Sequence, residues 1–374
     1  MSTPDVCLHI GAMKTGTTYV QRMLGGNHEL LEREGIGYPM PWSDQVEAVR
    51  DVLKMVGGSH LGSIDGHWKV MVDRLHQWSG PRVIMSMEFL SFADDGQIRT
   101  IVGDFAPSNV SVVIGARDLA RVLPAQWQTA VRNGKRQTYR SFLKGVTAKR
   151  PSRTKLHFWK RQDVGRMAAS WASVVGRENV TVVTVPPRGS DPGELWRRMA
   201  VAMGLDTLTL EDRTASNESL GPTGTELLRR INEQANATDM STWTYQHGIN
   251  RALSHRVLPD LPESHPSVRV PDDYHDWVRG ESDRVIAELG ASGVRVVGDL
   301  ADLEPQLQKG APFVWPEDVP ESDLLAFAVS ALTAFGSEVA AQKRQDIEAA
   351  NRRKARAKRR KAAAEQDETQ GPEA

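Results

Sequence analysis

A short polar loop, residues 11–18, separates a strand pattern from a helical pattern and constrains the fold more than any other feature. The preceding run, residues 6–10, is apolar and leads into glycine, which predicts a buried strand. After the loop, Val20, Met23 and Leu24 recur at helical spacing. A strand, a glycine-containing loop and a helix in this order open many nucleotide-binding domains.

Further apolar runs predict central strands of the same sheet, and helical patterns separate them. The predicted strands cover residues 83–85, 110–114 and 180–185, with a short edge strand at 294–297. The predicted helices cover residues 98–102, 164–175, 223–236 and 277–289. Strands that alternate with helices imply a parallel sheet covered on both faces. We therefore predict an α/β, P-loop-type, three-layer fold with a central parallel sheet and a C-terminal helical extension.

Prolines and a change of composition divide the chain near its end. We expect one domain over residues 1–315 and an amphipathic helix, rich in alanine and leucine, over residues 316–342. A charged tail, predicted to be disordered, follows over residues 343–374. Eight of the ten residues in 352–361 are basic, and an acidic end follows them, so this stretch should be solvated.

Charge and cysteine content limit the classes of partner. Lys and Arg together number 47, as do Asp and Glu, so the overall charge predicts no partner and no specific nucleic acid. The single cysteine, Cys7, excludes an intramolecular disulfide and a cysteine-based zinc cluster. The basic stretch 352–361 allows weak contact with an anionic membrane surface.

Targeting signals are also missing from the sequence pattern. The N-terminus lacks a basic region followed by a long apolar core, and no run of about 18 apolar residues indicates a transmembrane segment. We therefore expect a cytoplasmic protein, and the apolar C-terminal helix could serve as an interface in an oligomer.

The loop departs from an ordinary phosphate loop in one respect. Loops of the G-x4-G-K-[ST] kind close backbone N–H groups around phosphate oxygens at the start of a helix. Here Gly11 and Gly16 keep that spacing and Thr18 keeps the hydroxyl, but Thr17 stands where the lysine belongs. The lysine has moved forward to Lys14, which argues against an ATPase whose lysine must reach the β- and γ-phosphates from the helix start.

Residues 9–18, HIGAMKTGTT, resemble the 5′-phosphosulfate-binding loop of the sulfotransferases that use 3′-phosphoadenosine 5′-phosphosulfate (PAPS), in particular the bacterial type related to the carbohydrate sulfotransferases. The resemblance implies PAPS as co-substrate, a metal-free site, and a catalytic lysine, Lys14, on the departing phosphate. It also implies cofactor contacts from Lys14, Thr15, Gly16, Thr17 and Thr18.

A second element supports this resemblance. The family places a strand that ends in an arginine on the 3′-phosphate, and residues 112–118, VVIGARD, resemble it with Arg117 as the candidate. The serine that the family often has eight residues later is replaced by Ala125. Gln126, Thr129 or the polar turn at residues 217–221 could substitute for that serine, and such a turn is otherwise a helix cap.

Glu88 is the candidate general base. It follows the strand predicted at residues 83–85, and ligands in parallel α/β sheets bind beyond the carboxyl ends of strands. Sulfotransferases deprotonate the acceptor with a histidine or a glutamate near this point, and those acting on sugars commonly use glutamate. The alternative is a carboxylate that only stabilises a helix N-terminus.

The resemblance therefore implies transfer of a sulfuryl group from PAPS to a hydroxyl or amine acceptor, such as a carbohydrate, a glycolipid or a small alcohol. Two alternatives remain: a kinase that uses ATP and magnesium, and a non-catalytic nucleotide-binding module. A kinase would need a lysine at position 17 and an acidic magnesium ligand at a strand end; Asp118 stands at such an end, but next to Arg117. Of Trp127, Trp159 and Trp171, which could line an acceptor cleft, we expect at least two to be core residues.

Overall fold

A computed structural model describes residues 3–55, 64–212 and 220–369, with the side chains of residue 353 and of residues 355–369 left out. Within these ranges the strands are β1 (Asp5–His9), β2 (Ile36–Gly37), β3 (Arg82–Ser86), β4 (Val110–Ala116), β5 (Val180–Thr184) and β6 (Arg295–Val297). They form one sheet in the order β2-β3-β1-β4-β5-β6, and every neighbouring pair is parallel. The predicted α/β fold with a central parallel sheet is confirmed.

Helices connect the strands and extend the chain beyond them. They are α1 (Thr17–Gly26), α2 (His28–Arg33), α3 (Trp42–Val52), α4 (His67–His76), α5 (Asp95–Asp104), α6 (Leu119–Arg132), α7 (Tyr139–Val146), α8 (Arg153–Gln162), α9 (Val164–Val175), α10 (Glu194–Met203), α11 (Pro222–Ala237), α12 (Thr242–Thr244), α13 (His275–Ser292) and α14 (Glu321–Thr369). Short 3₁₀ turns include Glu88–Phe92, and a π-helical segment covers Tyr245–Val257.

Alternation along β1 assigns the two faces of the sheet to different helices. Val6 and Leu8 belong to a core cluster shared with α3, α4, α5, α9 and α13. Cys7 points to the other face, in a cluster shared with α1, α2 and α10, because successive strand residues face opposite sides. Burial raises the pKa of the Cys7 thiol to about 11. The three-layer arrangement follows from these two apolar faces.

A third apolar cluster lies apart from the sheet and joins α6, α7, α8, α11 and the π-helical segment. Trp127 belongs to it and is buried, whereas Trp171 is buried beneath the sheet, so the expectation of two core tryptophans is confirmed. The start of α14 packs on the same cluster through Phe327 and Ala331. This cluster makes a helical wall beside the carboxyl ends of the strands.

Helix α14 differs from the expected C-terminal region. It continues without a break past position 342, where the disordered tail was expected to begin, because the Ala, Glu, Lys and Arg that dominate this stretch are strong helix formers. Leu325, Val329 and Leu332 on its outer face are exposed. By length and composition alone, the Glu321–Arg352 part could cross a membrane, a test that helices of soluble proteins also pass. The division into domains stays a prediction.

The strand order puts β1 between β3 and β4, which is where the chain changes its direction across the sheet. The chain leaves β3 on one side of β1 and enters β4 on the other side. Loops that follow the strands at such a switch point diverge and leave a crevice for a ligand. The carboxyl ends of β1, β3 and β4 are therefore the first place to look for a site.

The close contact between the β1–α1 loop and β4 predicts a stability effect. A methyl group at Gly115 would lie 2.8 Å from the Thr15 Cβ and closer still to its hydroxyl. We expect Gly115→Ala to lower the free energy of unfolding by about 1–3 kcal/mol, because neither backbone can retreat without strain. Gly280→Ala, in open space on α13, is the control and should stabilise by about 0.5–1 kcal/mol. Urea denaturation checks both, and an unchanged midpoint for Gly115→Ala would contradict the packing described.

Candidate functional site

The loop between β1 and α1 is held against β4 by backbone hydrogen bonds. The N–H of Ile10 donates to the Val113 carbonyl at 3.0 Å, and the N–H of Ala12 donates to the Gly115 carbonyl at 2.9 Å. Gly16 then precedes α1 with φ at +89°, a left-handed conformation that favours glycine. No side chain caps α1. The N–H groups of its first turn therefore remain available for an anion.

The three threonines of the loop have different surroundings. The hydroxyl of Thr15 is buried and donates to the Ala12 carbonyl at 2.6 Å, so it is already bonded within the loop. Thr15 would therefore contact a 5′-phosphate through its backbone N–H and not through its hydroxyl. Thr17 is buried at the start of α1, and Thr18 is exposed one residue later.

Lys14 lies at the turn of the loop, with φ at +68°. Its carbonyl accepts a hydrogen bond from Arg117 Nη1 at 3.0 Å. Burial lowers the pKa of the Lys14 amine to about 8, with a further lowering from Arg132 and Arg117 that the negative charge of Glu88 opposes. The lysine is therefore a half-buried cation with one carboxylate and two guanidinium groups around it.

Arg117 stands directly after β4, as the sequence predicts. Besides the bond to the Lys14 carbonyl, its Nε is buried and has no hydrogen-bond partner among the described residues. Burial lowers the pKa of Arg117 to about 10, which keeps the guanidinium charged at neutral pH. A buried guanidinium donor without an acceptor is costly, so a bound phosphate oxygen would be favoured here.

Glu88 begins the 3₁₀ turn after β3 and lies beside the loop. Its Oε2 accepts a hydrogen bond from the side-chain amide of Gln21 at 2.8 Å. A methyl group on Gly11 would lie 3.4 Å from both the Cβ and the carbonyl oxygen of Glu88. The structure thus brings Lys14, Glu88 and Arg117 together after three neighbouring strands.

Ser86 anchors the backbone that carries Glu88. The N–H of Ser86 donates to Gln45 Oε1 at 2.9 Å, and the Gln21 amide donates to its carbonyl at 3.2 Å. The Ser86 hydroxyl lies 2.8 Å from Nδ1 of His9, whose pKa burial lowers to about 4. Gln21 therefore fixes both the carboxylate and the strand end that precedes it. The sequence analysis missed Gln21, although it lies one turn after Thr17 and Thr18 on α1 and so shares their side of the helix.

Arg132 and His255 were also missed, because they come from distant segments. Arg132 ends α6, and its carbonyl accepts from the Asn250 amide at 2.8 Å in the π-helical segment. Burial lowers the pKa of Arg132, and burial together with the charges of Arg132 and Lys14 lowers the pKa of His255. No local pattern in the sequence signals this pairing of α6 with the π-helical segment. Arg132 adds positive charge near Lys14, whereas the lowered pKa of His255 favours its neutral form.

Of the substitutes considered for the serine at Ala125, Gln126 is already engaged within the site. Gln126 is buried, and its Oε1 lies 3.3 Å from the amide of Gln162, which also donates to the Met13 carbonyl at 2.9 Å. Gln126 therefore helps to hold the loop. The structure gives no polar contact between Thr129 and the other site residues, and most of the turn at residues 217–221 lies outside the described residues.

Asp118, the strand-end acid considered for magnesium, has a structural role. Its carboxylate accepts from the backbone N–H of Arg121 at 3.0 Å and also pairs with the Arg121 side chain. Arg121 in turn donates to the Pro186 carbonyl at 2.8 Å, which ties α6 to the end of β5. Across residues 3–55, 64–212 and 220–369, no group of three or more His, Cys, Asp or Glu could hold a metal ion.

Comparison with solved structures shows distant similarity to a known protein. No protein-family model matches this chain, and no curated protein matches it. Among solved structures, a sulfotransferase from Alicyclobacillus acidocaldarius is similar at 15% sequence identity, with a TM-score of 0.40. The similarity covers 66% of this chain and 100% of that one. At this distance we draw nothing about function from it, and the site residues carry the argument.

The lowered pKa of Lys14 predicts that anion binding depends on pH. The free amine loses its proton as the pH rises through about 8, whereas a bound phosphate favours the charged form. We expect affinity for 3′-phosphoadenosine 5′-phosphate to fall by up to about tenfold per pH unit above 8. Calorimetry between pH 7 and pH 9.5 measures this. Lys14→Met should bind weakly without that slope, and a wild-type affinity that is equal at pH 7 and pH 9 would contradict the prediction.

Proposed function

We propose that this protein is a sulfotransferase that moves a sulfuryl group from PAPS to a hydroxyl or amine acceptor. The observation that supports the proposal most strongly is that Lys14, Glu88 and Arg117 lie together at the carboxyl ends of three adjacent parallel strands. A half-buried cation, a carboxylate and a guanidinium with an unused donor are the groups that such a transfer needs. The loop pattern at residues 9–18 supports the same conclusion.

The donor set fits the two phosphates of PAPS. The uncapped first turn of α1, with Gly16, Thr17 and Thr18, would hold the 5′-phosphate through N–H groups and hydroxyls. Arg117 would hold the 3′-phosphate, for which its buried and unpartnered Nε supports the assignment. When bound, PAPS supplies an activated sulfuryl group on an oxygen that can leave with the 5′-phosphate.

Two side chains of this protein would act on the reacting atoms. The acceptor oxygen forms a bond to sulfur while the bond between sulfur and the departing oxygen breaks, and the acceptor proton passes to the Glu88 carboxylate. Lys14 would neutralise the negative charge that develops on the departing oxygen. Its position inside the protein strengthens this effect, because water screens the charge less there. Lysine can balance this charge, so no metal is required for the transfer itself.

Gln21 would support the base. Its amide donates to one carboxylate oxygen of Glu88 and leaves the other oxygen for the acceptor. It also donates to the Ser86 carbonyl, which fixes the strand end. The acceptor class stays a proposal: a carbohydrate, a glycolipid or a small alcohol would each present a suitable hydroxyl. A kinase is less well supported, because Asp118 is engaged by Arg121.

Calorimetric titration with 3′-phosphoadenosine 5′-phosphate tests the proposal. With EDTA present, we expect micromolar affinity for this nucleotide and much weaker binding of ATP, which lacks a 3′-phosphate. Arg117→Ala should weaken binding of the nucleotide by roughly 10- to 100-fold, because a charge-assisted contact is lost. Arg99→Ala, which removes an exposed arginine on α5, is the matched control and should bind as the wild type does.

Two results would overturn the proposal. One is the absence of binding by a folded wild-type protein. The other is a preference for ATP that depends on magnesium, which would favour the kinase.

A further inference from the structure

A groove of about 440 Å³ opens beside the candidate site. Its apolar part is formed by Phe92, Leu156 and Trp159, and Leu156 is 61% exposed. Four basic side chains line the groove as well: Lys149, Lys155, Lys160 and Arg166. An apolar surface bordered by cations is suited to a molecule that has both an apolar body and negative charge.

Two elements link the groove to the site. Phe92 is the last residue of the 3₁₀ turn that begins at Glu88, and a rise of about 2 Å per residue makes the separation roughly 8 Å along that turn. On the other side, Trp159 lies in the last turn of α8, which ends at Gln162. Gln162 donates to the Met13 carbonyl of the loop at 2.9 Å. The same turn and helix therefore border both the site and the groove.

The two carboxylates that line the groove do not balance the charge of its four basic side chains. Asp94 and Asp163 also line it, but both carboxylates cap helices by accepting from backbone N–H groups, Asp94 from Gln97 at 2.8 Å and Asp163 from Arg166 at 3.1 Å. Within the described residues, the side chains of Lys149, Lys160 and Arg166 form no ion pair, and Lys149 and Lys160 are exposed. The groove therefore presents excess positive charge to its occupant.

Aromatic rings in the groove already carry cations. The Arg161 guanidinium lies 5.1 Å from the centre of the Phe92 ring, and that of Arg284 lies 4.9 Å from the centre of the Trp159 ring. Arg284 is also paired with two glutamates of its own helix, so it is the contact of Arg161 that adds net positive charge behind the apolar surface. An uncharged apolar ligand would contact only the aromatic rings and Leu156. An anionic ligand would also bind the basic side chains of the groove.

We propose that this groove binds the part of the acceptor that does not react, and that the acceptor is an anionic amphiphile. The reacting hydroxyl would reach Glu88, while an apolar or aromatic body lies on Trp159 and Leu156 and a negatively charged group faces Lys149 and Lys160. The inference rests on the proposed function, because it reads the groove as an acceptor site. It narrows the acceptor class from any alcohol to one that carries a carboxylate, sulfate or phosphate.

Two matched probes test the charge preference. 4-Methylumbelliferyl β-D-glucuronide has an aromatic body, sugar hydroxyls and a carboxylate, and 4-methylumbelliferyl β-D-glucoside has an uncharged hydroxymethyl group in place of that carboxylate. We expect the glucuronide to bind roughly five- to tenfold more tightly at low salt, since several exposed cations each add a small attraction. The preference should shrink in 0.5 M NaCl, where charges are screened. Calorimetry, with and without saturating 3′-phosphoadenosine 5′-phosphate, measures both affinities.

Two triple variants test whether the basic side chains of the groove cause the preference for the glucuronide. A triple variant, Lys149→Gln with Lys160→Gln and Arg166→Gln, should bind the two probes equally while it keeps the wild-type affinity for 3′-phosphoadenosine 5′-phosphate. A control triple variant removes the same charges outside the groove, at Lys309, Lys343 and Arg344, and should keep the preference for the glucuronide. All six side chains are exposed, so both variants should fold.

Equal affinity of the wild type for the two probes, or a preference that survives the groove variant, would overturn the inference. Failure of the nucleotide to bind would count against the proposed function instead. The titration without nucleotide separates the two results, because the charge preference of the groove does not require the nucleotide.

Discussion

The close packing of the β1–α1 loop on β4 is the contact on which the site depends. Gly115 has no side chain, so Thr15 can lie against the strand and the loop can continue the hydrogen bonding of the sheet. Arg117, the residue directly after this strand, reaches back to the Lys14 carbonyl. The end of one strand therefore both supports the loop and positions the guanidinium beside it. A shift of β4 against β1 would therefore move the Arg117 guanidinium and the β1–α1 loop together.

The second organising feature is positive charge held inside the protein. Lys14, Arg117 and Arg132 each have a pKa lowered by burial, and Glu88 is the carboxylate that acts on Lys14. Folding concentrates these cations at the carboxyl edge of the sheet although the chain as a whole carries no net charge. The three cations repel one another when the site is empty, and a bound anion reduces that repulsion. Anion binding should therefore stabilise this part of the fold.

Sequence reasoning predicted the central architecture because the buried strands are short, apolar and well separated. The strands at residues 83–85, 110–114 and 180–185 lie within β3, β4 and β5 or overlap them, and the helix at 164–175 matches α9. Two-residue β2 was missed because it is too short to show a period. The candidate residues Lys14, Glu88 and Arg117 came from the family resemblance and from the rule that ligands bind beyond the ends of parallel strands, and their role stays a prediction. Gln21, Arg132 and His255 could not be found in the same way, since their roles arise from contacts between elements that no local pattern encodes.

The buried position of Cys7 has a consequence for chemical labelling. It is the chain's one cysteine, it is buried in β1, and its raised pKa keeps it as a thiol at neutral pH, whereas alkylating reagents react with the thiolate. The native protein should therefore be almost inert to maleimides and iodoacetamides. A single cysteine introduced at an exposed position would become the only reactive one, so a fluorophore or spin label could be attached at one chosen point without first removing a native residue.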